Sequence, residues 1–176
     1  VKFLETELEG VWLVDLEPAV DDRGRFARCW CHEEFARRGF DLSMVQASLA
    51  QTRCRGTLRG LHYQAAPHAE DKFVRCIRGS AWFVALDLRR DSSTHRRWIS
   101  AELSAENGRA LFVPKGCANG YQTLVDDTEV LYMMSEPYHP ASAAGVRYND
   151  PAFGIRWPVE VVAMSDRDRN WADYAM

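Results

Sequence analysis

Short apolar-rich runs, separated by turn signals, dominate the chain from Lys72 onward. Phe73–Ile77 precedes Arg78-Gly79-Ser80, and Ala81–Leu88 then places Trp82, Val84, Leu86 and Leu88 on one face of a strand. Trp98–Leu103 is followed by a turn at Asn107-Gly108, and Ala110–Val113 by a break at Pro114-Lys115-Gly116. Gly120–Val125, a turn at Asp126-Asp127 and Glu129–Met134 extend the pattern. No amphipathic helical segment separates these runs, so they predict an antiparallel barrel or sandwich. Upstream, Thr6–Leu16 reads as a strand, Asp21-Asp22-Arg23-Gly24 as a turn and Arg25–Trp30 as another strand. His32–Arg38 reads as a short helix stopped by Gly39 at C′, with Arg37 and Arg38 near its negative end. Val45–Thr52 leads into the stretch Arg55–Gln64, and the tail from Val159 to Met176 ends in a short helix. There is no internal repeat, low-complexity tract or linker. The pattern predicts one all-β domain over residues 1–176 with short peripheral and C-terminal helices.

Composition narrows the partners. A hydrophobic content of 47% with six Trp describes an ordinary globular core. A net charge of −3 argues against a general nucleic-acid or membrane-surface binder. No signal peptide and no apolar run long enough to span a bilayer are evident. The five cysteines, Cys29, Cys31, Cys54, Cys76 and Cys117, are odd in number and form no CxxC pair. Reduced thiols in a cytoplasmic compartment follow as the expectation.

Candidate chemistry concentrates in Arg55-Gly-Thr-Leu-Arg-Gly-Leu-His-Tyr-Gln64. Gly56 and Gly60 allow a bulge or a close backbone approach. Arg59 offers a rigid fork of donors suited to phosphate, and His62 is of the residue type that exchanges protons near neutrality. A site for an anionic ligand with proton transfer is one reading. A tight barrel strand with a hydrogen-bonded core histidine and an exposed arginine is the other. The residues alone leave both open. A metal site requires several converging ligands. His62 has no His-x-His partner, and His32, His68, His95 and His139 are scattered in what read as exposed loops, so no metal is expected.

Together, several blocks in order carry a resemblance that covers nearly the whole chain. They are Gly56–Gln64 with Lys72-Phe-Val-Arg75, Asp87-Leu-Arg89 with Ser92, Pro114–Gly120, Tyr132, Tyr138, Asn149–Pro158 and Ser165-Asp-Arg-Asp168. With these the chain resembles the nucleotide-sugar epimerases typified by dTDP-4-dehydrorhamnose 3,5-epimerase. The resemblance implies a cupin-type jelly roll without metal or other cofactor, usually a homodimer. It also implies a nucleotide-diphosphate 4-keto-6-deoxy sugar as substrate. Inverting a carbon beside a ketone needs a base on one face, an acid on the other and stabilisation of the enolate oxygen. The resemblance assigns His62 as base, Asp168 as its partner, Tyr132 as proton donor and Lys72 as the cation at the ketone. Without it, Tyr132 reads as a core aromatic and Lys72 as a strand-end lysine. Arg23 and Arg59 match diphosphate contacts, Gln46 and Ser48 nucleotide contacts, and Tyr138 the aromatic that stacks on the base.

The chain departs from the family pattern at several positions. Asn119 stands where typical members have His, Arg167 replaces a Lys that contacts substrate, and Arg28 and Ala143 replace Glu. Asn119 still donates a neutral hydrogen bond but carries no charge. The proton-transfer set is intact while the binding contacts have drifted. The resemblance therefore implies an epimerase acting at C3, C5 or both. A monofunctional C3 or C5 epimerase on another nucleotide sugar, and a catalytically silent sugar-nucleotide-binding cupin, stand as alternatives.

Overall fold

In the computed structural model, which describes residues 1–40 and 43–174, two antiparallel sheets share a core. One sheet has the order β1 (Lys2–Glu5), β2 (Trp12–Asp15), β10 (Ala110–Val113), β7 (Lys72–Arg78), β12 (Thr128–Met134), β5 (Gln46–Thr52). The other runs β13 (Ala143–Gly145), β6 (Leu58–Gln64), β11 (Cys117–Thr123), β8 (Ser80–Asp87), β9 (Trp98–Ser104). A hairpin of β3 (Ala19–Asp21) and β4 (Gly24–Phe26) stands apart from both sheets. Among the described residues the helices are two short pieces, α1 (His32–Ala36) and α2 (Asp166–Arg169). The strand pattern pointed to an antiparallel barrel or sandwich, and this is the cupin-like jelly roll that the family resemblance implies.

The two-residue period of the strands sorts their side chains into three apolar layers. Between the sheets, Val74, Cys76, Leu111 and Val130 meet Phe83, Ala85, Leu103 and Tyr121. Outside the six-stranded sheet, Phe35 of α1 packs with Phe73 and Phe112. Outside the five-stranded sheet, Leu61, Val84 and Leu86 are covered by Val146 and Phe153. Strands covered on both faces lose the apolar–polar alternation, and all seven residues of β11 are buried.

Several elements differ from the sequence-based expectation. Thr6–Leu16 is not one strand but the turn and second strand of a hairpin. The Thr6 hydroxyl donates to Val11 O at 2.8 Å and accepts Leu8 N–H at 3.2 Å, and Gly10 has φ +76°. Arg25–Trp30 pairs only as far as Phe26. The helix ends at Ala36, with Gly39 at φ +86° closing its last turn. The strand placed at Gly120–Val125 begins at Cys117, and the helix of the tail lies at Asp166–Arg169 rather than at the end. β13 went unpredicted because Ala143-Ala144-Gly145 carries almost no apolar signal.

Candidate active site

Strand phase decides which side chains reach the space between the sheets. On β6, Leu61 belongs to the outer layer, so His62 points inward and Gln64 follows it on the same face. On β7, Val74 and Cys76 point inward, and so does Lys72. On β12, Val130 sets the phase for Tyr132. The register aligns His62 with Asn119 on one side and Gly145 on the other, and Tyr132 with Ser48. His62 and Tyr132 therefore come from opposite sheets.

Glycines permit this register. A Cβ on Gly60 would lie 2.7 Å from Gly120 Cα, so β6 and β11 approach as no larger residue allows; Gly60 also has φ +116°. The Gly60 N–H donates to Asp168 Oδ2 at 3.1 Å. His62 Nε2 lies 2.5 Å from Asp168 Oδ1. Asp168 is buried, held on α2 by the helix cap in which Ser165 Oγ accepts the Asp168 N–H at 3.1 Å. Burial acts to raise the pKa of Asp168, but the hydrogen bonds from His62 and Gly60 outweigh it and the net shift is downward. An ionised carboxylate only accepts, so it holds a proton on Nε2 and leaves Nδ1 as the proton acceptor.

Lys72 Nζ donates to Asn119 Oδ1 at 3.4 Å and pairs with Glu70 at 3.0 Å. Glu70 went unrecognised in the sequence because nothing in its neighbourhood marks it. Its carboxylate offsets the charge of Lys72 in a site where neither group is well exposed. Burial, with the adjacent Tyr121, pushes the Tyr132 phenol well above its ordinary pKa, against an opposing pull from the Arg59 cation. A chain of polar contacts supports it: the Tyr121 hydroxyl lies 3.1 Å from Thr52 Oγ1, which accepts from Arg59 Nε at 3.1 Å. Thr52 and Tyr121 were read only as strand residues.

Two cavities share His62, Tyr132 and Arg167. One of about 410 Å³ also contacts Gln46, Ser48, Gln64, Glu70, Lys72 and Tyr138. The other, of about 510 Å³, also contacts Arg59 and Asp168. Gln46 orders its end of the site, accepting the Tyr138 N–H at 3.0 Å and donating to Ser48 Oγ at 3.4 Å. Arg167 donates to Ala143 O at 3.3 Å and lies over the Trp171 ring. Every sequence-selected site residue thus meets here except Arg23. Arg23 is 89% exposed on the projecting hairpin, ion-paired with Asp21 at 2.5 Å, beside a separate hollow formed by that hairpin. The loop histidines also differ from expectation: His68 and His139 are not scattered but stack, with centroids 3.5 Å apart.

A histidine held by a buried carboxylate faces a phenol across a cavity, with a cation and an amide at its wall. That constellation defines a proton-transferring isomerase on a jelly roll. Residues 5–175 match the family model of dTDP-4-dehydrorhamnose 3,5-epimerase. The chain is 39% identical to dTDP-4-dehydrorhamnose 3,5-epimerase of Methanothermobacter thermautotrophicus over 173 residues, covering 97% of this chain and 92% of the relative. Among solved structures, the Bacillus anthracis enzyme with TDP and pyrophosphate bound superposes with TM-score 0.95 at 37% identity, covering 98% of this chain and 99% of that one. A 3′-monoepimerase of Streptomyces bikiniensis in complex with dTDP-quinovose gives TM-score 0.87 at 33% identity, covering 96% and 85%. The chain belongs to the dTDP-4-dehydrorhamnose 3,5-epimerase family and is an epimerase of deoxysugar biosynthesis.

Proposed function

We propose that the protein inverts C3, C5 or both of a dTDP-linked 4-keto-6-deoxy-hexose, with His62 and Tyr132 as its two proton carriers. The observation that carries this reading is their origin on opposite sheets of one cavity. His62 Nδ1 takes the proton from the carbon beside the ketone, and the C–H electron pair moves into an enolate. Lys72 and the Asn119 amide stabilise the enolate oxygen. The Tyr132 hydroxyl gives a proton to the opposite face of the same carbon, and the phenolate and the imidazolium then exchange protons with solvent. The sequence is redox-neutral.

Arg59 takes the diphosphate, Gln46, Ser48 and Tyr138 take the nucleoside, and Arg167 closes the sugar end. One domain over residues 1–176 carries these roles. The functional unit is a cytoplasmic homodimer. Its support is apolar surface left uncovered by one chain, with Phe26 80% and Leu49 58% exposed on the hairpin and on edge strand β5. In that assembly the hairpin brings Arg23 to the partner's cavity. Sedimentation of the wild type should give twice the chain mass and Leu49→Asp half that; a monomeric wild type contradicts the dimer. The activity is tested with dTDP- and UDP-linked 4-keto-6-deoxy sugars in deuterated water. Enzyme-dependent deuterium at C3 or C5 is expected for the dTDP sugar, and none at either carbon with any of them would overturn the proposal.

A further inference from the structure

Two loops meet at the rim of the 410 Å³ cavity, 65–71 between β6 and β7 and 135–142 between β12 and β13. His68 Nδ1 lies 3.1 Å from Glu136 Oε1, and His139 Nε2 lies 3.4 Å from the same oxygen. The three ligating atoms all fall within 4.8 Å of one another. We propose that His68, Glu136 and His139 form a binding site for a divalent transition-metal ion that prefers imidazole, such as Zn²⁺, Co²⁺ or Ni²⁺.

Three observations carry the proposal. First, two imidazoles and a carboxylate are a donor set suited to these ions. Second, the spacing fits. Metal–nitrogen and metal–oxygen bonds of about 2.1 Å place neighbouring ligands of a tetrahedral ion about 3.4 Å apart. The two distances to Glu136 Oε1 are 3.1 and 3.4 Å. Third, the backbone of both ligand loops is held before any ion arrives, so that only the two imidazoles, now stacked face to face, need turn to aim their nitrogens at one ion. Buried Gln64 donates from Nε2 to His68 O and to Pro137 O, both at 3.1 Å, and its Oε1 accepts the His139 N–H at 2.6 Å. One side chain thus pins the backbone of both ligand loops. Each ligand side chain remains about one-third exposed, which leaves an entry path and a further position for water.

The sequence concealed this site because 68 residues separate His68 from Glu136, whereas a metal motif is recognised by close spacing. Gln64 also follows His62 on the inner face of β6, and Tyr138 lies between two of the ligands. An ion held here braces the Tyr138 wall of the cavity.

The test is a Co²⁺ titration of tag-free protein followed by visible absorption and calorimetry, so its readout is independent of the epimerase assignment. One equivalent per chain is expected, with d–d bands of a nitrogen–oxygen site. The ligands lie on surface loops, so His68→Ala and His139→Ala should fold, as their melting temperatures would verify. Each should weaken Co²⁺ binding by more than the ~10–100-fold typical of losing an outer-shell partner. Glu136→Gln should weaken it as well. No binding by the wild type, equal binding by the His68→Ala/His139→Ala double variant, or a thiolate-to-cobalt charge-transfer band from the exposed cysteines would overturn the site.

Discussion

His62 and Arg59 share strand β6 yet carry different parts of the proposed reaction. In that proposal His62 meets the reacting carbon, so His62→Ala should cut solvent exchange at the substrate by at least ~10²-fold while nucleotide affinity is kept. Isothermal titration with dTDP beside an exchange assay reads both. Residual exchange near wild type would mean that another base operates. The proposed role of Arg59 is to grip a phosphate that keeps its charge from ground state to transition state, so in Arg59→Ala the rise in KM should exceed the fall in kcat. Its contact with Thr52 places it at the far end of the contacts reaching Tyr132, and any kcat effect should come through that phenol. Steady-state kinetics separates the two, and a collapsed kcat at normal KM would put Arg59 in the chemistry.

At the scale of elements, the strands with strong apolar runs, such as β7, β8 and β9, were legible because burial leaves dense apolar runs bounded by turn residues. The bulged approach of β6 was legible from its glycines. The pairing of His62 with Asp168 came only through the family resemblance, since they stand 106 positions apart and no local pattern links a strand to a distant one-turn helix. Thr52 and Tyr121 were illegible for a similar reason: their partners are set by sheet register, which periodicity does not report. Gly145 was missed with β13, although it seats the C-terminal segment. A Cβ there would lie 2.2 Å from the Trp171 ring. Gly145→Ala should therefore displace the segment bearing Asp168, and a shift of ~1 Å there is enough to lower kcat about 10²-fold. Circular dichroism should show the sheets intact. Unchanged kcat would show that Trp171 does not govern the position of Asp168.

Across the whole molecule, buried carboxylates tie loops to the sheets. The Asp87 side chain is fully buried and accepts from Arg89, Ser92 and Thr94, linking β8 to the loop that follows it. Burial acts to raise its pKa, but those three donors outweigh it and hold it far below the usual carboxylate range; Asp168 is lowered as well. Folded-state values below the unfolded ones mean that the associated stability is fully present above about pH 4 and is lost as pH falls toward the folded values. Urea unfolding from pH 7 down to pH 3 should show this decline. Asp87→Asn should lose about 3 kcal/mol at pH 7, the lower end for breaking a buried pair, and show a shallower acid dependence. An acid dependence identical to wild type would show that Asp87 titrates alike in both states. Among the described residues no helix is long and apolar enough to cross a membrane. The buried thiols Cys76 and Cys117 are pushed up to about 11 and 12 by burial, which keeps them unreactive within the fold.

The division of labour between the two sheets is tested most directly by Tyr132→Phe, with deuterium uptake and stereochemistry recorded on the same samples in deuterated water. The substitution keeps the ring and removes the donor. His62 should still form the enolate and return a solvent-derived proton to the face from which it came. Exchange therefore continues while net inversion falls by about 10²–10⁴-fold. A melting temperature near wild type confirms the fold. Inversion at the wild-type rate, or loss of exchange together with inversion in a stably folded variant, would contradict the assignment of the two faces to His62 and Tyr132.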